Sequence, residues 1–151
     1  MSEIIAGILL FRKKPNLQLL LAHPGGPFAK DEDEGSWTIP RHYVEEGHQP
    51  LETAQQKFKE SFGFIPDGSY INLNSVALGN DEKMQVWATA HDIPDTFIFE
   101  PFWFEMEWPP DSDQVETFPE MDRIEYFGPF EARKKIETEQ TDFITRLITR
   151  L

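Results

Sequence analysis

The segment that most constrains this chain runs from Ile39 to Phe64 and reads IPRHYVEEGHQPLETAQQKFKESFGF. Pro50 suits the first turn of a helix, because a backbone N–H would have no partner there. Gly63 is typical of the residue that ends a helix. Apolar residues recur between them at spacings of three and four, which predicts one buried helix face; they are Leu51, Ala54, Phe58 and Phe62.

Apolar runs on both sides of this helix predict strands. They are Glu3–Phe11, Leu17–Ala22, Trp37–Ile39, Tyr70–Leu78, Met84–His91, Phe97–Trp108 and Arg123–Phe127. A polar turn over Arg12–Asn16 and the turn Gly79-Asn80-Asp81 each predict an antiparallel hairpin. Further helices are predicted over Glu131–Ile136 and Asp142–Leu151. The order of these elements predicts one mixed α/β (α+β) domain over residues 1–151, with helices packed on a sheet.

The composition excludes several classes of function. The chain has 27 Asp and Glu against 14 Lys and Arg, and this net charge of −13 repels nucleic-acid phosphates and anionic lipids. It has no cysteine, which excludes disulfides, thiolate catalysis and cysteine-based zinc sites. The first apolar run is too short to span a membrane and lacks the features of a signal peptide. We therefore expect a cytoplasmic protein that binds neither nucleic acid nor membrane.

The central segment resembles the Nudix box, G-x5-E-x7-R-E-U-x-E-E-x-G-U, in which U is a bulky apolar residue. Four residues match the box, namely Phe58, Glu60, Gly63 and Phe64. Five residues depart from it, namely His42, His48, Gln56, Lys57 and Ser61. The flanking sequences HPGGPF, FEMEWPP and FPEMDR resemble small bacterial Nudix (MutT-like) proteins across nearly the whole chain. This resemblance implies a Nudix-like mixed β-sheet sandwiched by helices.

In that family, carboxylates on the helix hold Mg²⁺, and the resemblance carries this metal role over only to Glu60. Lys57 and Ser61, which we expect beside Glu60 on the side of the helix away from the core, stand at two of the glutamate positions, and His48 stands at a third. The ammonium of Lys57 should repel a divalent cation and pair with Glu60 instead. Mg²⁺ or Mn²⁺ is therefore expected only if the protein is an active enzyme.

A rebuilt metal site is the alternative. His42 and His48 lie close in sequence to several carboxylates, and imidazole with carboxylate would suit Mn²⁺ or Zn²⁺ better than Mg²⁺. Glu120 resembles a family position near the mouth of the pocket. It is therefore a candidate catalytic base or ligand together with Glu60.

The resemblance also implies a pocket for a small phosphorylated ligand. Arg41 follows Ile39-Pro40, where relatives tend to carry a basic residue that faces phosphate, and a guanidinium suits bidentate contact. Three rings are candidates for stacking on a flat ligand group; they are Phe28, Trp37 and Trp103. An aromatic strand such as Phe102-Trp103-Phe104 is, however, more typical of a protein core than of a ligand site.

The sequence leaves three functions open. The first is a Nudix-superfamily protein that binds a nucleotide or other diphosphate compound, with hydrolysis weak or lost. The second is an active metal-dependent pyrophosphohydrolase that acts on nucleoside di- or triphosphate derivatives through a rebuilt site. The third is an acidic module that docks a basic partner protein. An exposed strand over Phe102–Trp108 could also pair across a homodimer.

Overall fold

A computed structural model of the protein describes residues 3–13, 15–94 and 96–151. The strands are β1 (Glu3–Lys13), β2 (Leu17–Pro24), β3 (Arg41–Tyr43), β4 (Ile71–Gly79), β5 (Glu82–Ala90), β6 (Trp103–Glu107), β7 (Val115–Pro119) and β8 (Met121–Phe127). The helices are α1 (Pro50–Phe62), α2 (Pro129–Lys135) and α3 (Thr141–Arg150), with a short 3₁₀ helix at Thr138–Gln140. None of the helices formed by these residues is long and apolar enough to span a membrane.

A six-stranded mixed sheet forms the centre of the molecule. Its strand order is β4-β5-β1-β2-β8, and β3 pairs with the beginning of β1. Strands β1 and β5 run parallel, whereas β1 with β2, β2 with β8, and β4 with β5 are antiparallel. Strands β6 and β7 form a separate antiparallel two-stranded sheet.

Both faces of the central sheet are buried, because successive side chains of a strand point to opposite faces. One face of β1 packs with the buried side of α1; its residues are Ala6, Ile8 and Leu10. The other face packs with α2 and α3; its residues are Ile5, Leu9 and Phe11. The prediction of a mixed β-sheet sandwiched by helices is confirmed.

Helix α1 forms where the sequence predicts it. Gly63 ends the helix at φ 83°, a left-handed conformation that glycine adopts without steric cost, and its N–H donates to the Lys59 carbonyl. The placement of Ser61 on the side away from the core is wrong, since this residue is only 5% exposed. Ser61 follows the buried Ala54 by seven residues, which is close to two full turns, so the two share one side of the helix.

Two strand predictions differ from the structure, and one observed strand was not predicted. Trp37 and Thr38 form only isolated bridges, and the strand begins after Pro40. The run Phe97–Trp108 is a strand only over β6, and Pro101 cannot donate a ladder hydrogen bond just before it. Strand β7 was not predicted, since VETFP shows no clear alternation. The predicted turn Arg12–Asn16 includes Lys14, which lies outside the described residues.

Candidate functional site

A cleft of about 320 Å³ opens between α1, β3 and the turn that joins β7 to β8. This volume lies in the range of small-molecule sites, which is about 300–1,000 Å³. Its polar lining includes Arg41, His42, Lys57, Ser61, Glu82, Glu120 and Glu137, and its apolar wall includes Ala6, Phe58, Phe62, Phe102 and Met121.

Strand β3 directs two neighbouring side chains of the cleft to opposite faces of the sheet. His42 pairs with Ala6 and shares its α1 face, whereas Arg41 pairs with Gly7 on the other face. A glycine is required at this second pair, because a Cβ on Gly7 would lie 2.9 Å from the Pro40 carbonyl oxygen. The close approach of the two strands therefore fixes where Arg41 and His42 enter the cleft.

The guanidinium of Arg41 is held by an acid of the cleft. Its Nη1 lies 3.3 Å from Oε2 of Glu137, and the two side chains are 29% and 31% exposed. The same Nη1 lies 4.0 Å from the Met84 sulfur. Arg41 thus lines the cleft, and it has a carboxylate partner that the sequence did not predict, because Glu137 lies near the other end of the chain.

His42 packs against Phe102 in an edge-on contact, with ring centroids 4.3 Å apart. Burial lowers the pKa of the His42 imidazole below its ordinary value of 6.5, and the Lys57 charge acts in the same direction, whereas the charges of Glu120 and Glu60 oppose it. His42 is therefore neutral at pH 7 and can accept or donate a hydrogen bond in the cleft.

Replacing His42 by glutamine is expected to reduce the loss of unfolding free energy that the protein shows on acidification. The unfolded histidine takes up its proton near pH 6.5 and the folded one only at lower pH, so protonation favours the unfolded chain. Wild-type stability should therefore fall as the pH drops through about 6.5 and level off below the folded pKa. Urea midpoints at pH 7.5 and 5.0 measure this drop, which should be smaller in His42→Gln.

His48→Gln is the matched control for that measurement, because the His48 side chain is 60% exposed and only loosely paired with Glu45 at 3.9 Å. It should keep the wild-type drop. An equal drop in His42→Gln and the wild type would contradict a neutral His42 whose pKa is lowered by partial burial.

Lys57 and Glu60 pair with each other on the exposed flank of α1. The ammonium nitrogen lies 3.7 Å from Oε2 of Glu60, with the side chains 36% and 43% exposed. The same ammonium lies 5.3 Å from the centroid of the Phe102 ring. Of the two, Lys57 lines the cleft and Glu60 does not.

Glu120 stands at the rim of the cleft with an exposed side chain. Its backbone is fixed on both sides, because its N–H donates to the Phe102 carbonyl at 2.7 Å and its carbonyl accepts from Gly25 at 3.1 Å. The structure therefore brings Glu120 to the same cleft as Arg41 and His42, while Glu60 lies on the outer flank of the helix.

These residues do not fit a divalent cation. Among the residues that the structure describes, no group of three histidine or acidic side chains is placed to hold a metal ion. The carboxylate of Glu60 already has an ammonium beside it. The ammonium of Lys57 lies 3.7 Å from the oxygen that would have to bind the ion, and two positive charges at that distance repel each other, although solvent and salt screen the effect at this partly exposed site.

The three predicted stacking rings all lie outside the lining of the cleft. The prediction that Trp37 stacks on a ligand is wrong. The residue is 1% exposed and belongs to the core under α2 and α3, where its Nε1 donates to Asp33 at 3.0 Å. Phe28 is 67% exposed and lies edge-on to Trp108, and Trp103 is exposed on β6. The ring that does line the cleft is Phe102, the neighbour of Trp103 in the aromatic run.

Comparison with known proteins gives similarity in structure only. No protein-family model matches the sequence, and no curated protein matches it. A C. elegans Ap4A hydrolase in a binary complex has a TM-score of 0.66 at 15% identity, covering 97% of this chain and 96% of that chain.

Two further structures extend the comparison. The Nudix domain of Shewanella oneidensis NrtR, in complex with ADP ribose, has a TM-score of 0.60 at 13% identity, covering 99% of this chain and 88% of that chain. A MutT protein from Methanosarcina mazei Go1 also has a TM-score of 0.60, at 12% identity, with coverage of 99% and 94%. The chain therefore has the Nudix fold.

Proposed function

We propose that this protein binds a nucleotide or another diphosphate compound in the cleft beside α1, with hydrolysis weak or lost. The observation that carries the proposal is the position of Lys57, which lines the cleft and whose ammonium pairs with Glu60 on the helix flank. A cation at this place favours an anionic ligand and disfavours a bound metal ion.

The fold and the neighbouring structures support the class of ligand. One neighbour is named as an Ap4A hydrolase and another is in complex with ADP ribose. Ap4A and ADP ribose are both small phosphorylated compounds. The cleft offers two cationic side chains, Arg41 and Lys57, together with the ring of Phe102. Guanidinium and ammonium groups bind phosphate oxygens, and an aromatic ring can stack on a base.

The same residues argue against efficient hydrolysis. Metal-assisted attack on a diphosphate needs a hard cation that polarises phosphoryl oxygens and activates water. Mg²⁺ or Mn²⁺ would have to be held by Glu60 and Glu120, which the structure places on the helix flank and at the rim of the cleft. The His42 ring contacts Phe102, and the His48 ring lies beside Glu45. Neither imidazole is therefore placed to bind a metal ion together with Glu60.

Isothermal titration calorimetry with ADP, ATP and ADP ribose tests the proposal, combined with assays for released phosphate and pyrophosphate. We expect heat of ligand binding and no turnover above the buffer rate with either Mg²⁺ or Mn²⁺. Micromolar metal binding with turnover would favour the alternative of an active metal-dependent pyrophosphohydrolase. Absence of any ligand binding would favour the acidic protein-interaction module. A cytoplasmic location and a homodimer formed through the segment Phe102–Trp108 remain predictions.

A further inference from the structure

We infer that the cleft takes its diphosphate ligand as the free anion, with the ammonium of Lys57 in the place of a metal ion as the positive charge beside the phosphate. This inference rests on the proposed function and adds to it the chemical form of the ligand. It predicts that a divalent cation is not required for binding and competes with the protein for the phosphate.

The two cations of the cleft differ in how firmly they are held. Arg41 has a partly buried carboxylate partner in Glu137 at 3.3 Å, on the face of the sheet away from α1. The Lys57–Glu60 pair is longer, at 3.7 Å, and more exposed. Exposed pairs one helical turn apart contribute little to stability. Lys57 can therefore exchange Glu60 for a phosphate at little cost.

None of the three carboxylates that line the cleft forms an ion pair with Lys57, whose ion-pair partner is Glu60. Glu137 is paired with Arg41, whereas Glu82 keeps its negative charge while it accepts a hydrogen bond from the Tyr43 hydroxyl at 2.6 Å. Glu120 is exposed at the rim, where water and salt screen its charge. A phosphate that enters along α1 therefore reaches the ammonium of Lys57 inside the cleft. Glu60, the carboxylate that competes with the phosphate for this ammonium, does not line the cleft.

The groups around Lys57 suit the oxygens of a phosphate better than a hydrated metal ion. Phe102 contacts both cleft side chains, since the Lys57 ammonium and the His42 imidazole lie 5.3 Å and 4.3 Å from its ring centroid. The neutral imidazole can donate one hydrogen bond, and the hydroxyl of Ser61, which also lines the cleft, can donate another. An ammonium and two neutral hydrogen-bond donors can bind the oxygens of an anion, whereas Mg²⁺ needs several oxygen atoms as ligands.

Calorimetry with ADP as the probe, in excess EDTA and then in excess Mg²⁺, tests this inference. We expect the dissociation constant in EDTA to be equal to or lower than the one in Mg²⁺. Lys57→Glu should weaken ADP binding about tenfold or more, because the variant places like charges together. Lys57→Arg, which keeps the charge, should stay within about threefold of the wild type. Adenosine, which has no phosphate, should bind equally to all three proteins.

Lys59→Glu is the matched control, since Lys59 is exposed on the same helix and undergoes the same change of charge. It should shift ADP binding by less than about threefold, because solvent screens it from the cleft. Circular dichroism confirms that each variant is folded, and Lys57→Gln, which removes the charge without reversing it, replaces Lys57→Glu if the latter unfolds.

Two results would overturn the inference and leave the proposed function standing. One is ADP binding that tightens about tenfold or more on adding Mg²⁺, and the other is an equal loss in the Lys57 and Lys59 variants. A failure of the wild type to bind ADP, ATP or ADP ribose, with or without Mg²⁺, would overturn the proposed function as well.

Discussion

Replacing Trp37 by alanine is expected to lower the free energy of unfolding by about 3–5 kcal/mol, the range for removal of a large buried aromatic side chain. The indole is 1% exposed and lies edge-on to His23 and Phe127, with centroid distances of 5.0 Å and 4.9 Å. Its Nε1 also donates to Asp33 at 3.0 Å. Alanine would leave a cavity between these rings and remove a donor from Asp33, and both effects destabilise the folded state.

Trp103→Ala is the matched control, because it removes the same side chain from a site where 58% of the residue is exposed. Its loss should be about 1 kcal/mol or less, as is usual for exposed positions. Urea unfolding followed by far-ultraviolet circular dichroism compares the two without relying on tryptophan fluorescence. Equal losses in the two variants would contradict the assignment of Trp37 to the core.

Local features of the sequence were sufficient to predict α1 and the hairpin between β4 and β5. The start at Pro50 and the end at Gly63 follow from backbone chemistry that acts within one or two residues. The turn Gly79-Asn80-Asp81 is similar, since all three residues take positive φ and two strands meet there. Such elements need no knowledge of the rest of the chain.

The topology of the sheet could not be derived from those patterns. The longest ladder is the parallel pairing of β1 with β5, which joins segments separated by β2, β3, α1 and β4. An apolar strand carries no mark of which other strand it will neighbour. Here the resemblance to the Nudix box supplied what the residue pattern lacked, and the structural neighbours agree with it.

The candidate site shows the same division between local and distant contacts. The Lys57–Glu60 pair was predicted because three residues on a helix bring side chains together. The Arg41–Glu137 pair was not, because it depends on how the segment that follows α2 bonds to the chain just before β3, where Trp37 bridges Ile136. Trp37 was assigned to the wrong environment for a related reason. The residue type alone does not show whether an aromatic ring faces a ligand or packs in the core.

Replacing Gln140 by leucine is expected to cost about 2–4 kcal/mol of unfolding free energy, although leucine has a similar volume. Gln140 is fully buried; its Oε1 accepts from the Ile39 N–H at 3.0 Å, and its Nε2 donates to Thr38 at 2.8 Å. Leucine would leave the buried N–H of Ile39 without this acceptor, and one unsatisfied buried group costs about 1–3 kcal/mol. Urea unfolding measures the loss, with Glu139→Leu at the exposed neighbouring position as the control.

The same substitution should also weaken ligand binding through Arg41. Nε2 of Gln140 donates to Oε2 of Glu137 at 2.8 Å, and that oxygen is the one that pairs with the Arg41 guanidinium. Gln140 thus acts as a positioning residue: it holds the backbone before β3 and the acid that orients Arg41. We expect the ADP dissociation constant of folded Gln140→Leu to rise severalfold, while Glu139→Leu binds like the wild type. Unchanged stability and unchanged affinity in Gln140→Leu would show that this buried amide neither supports the fold nor reaches the cleft.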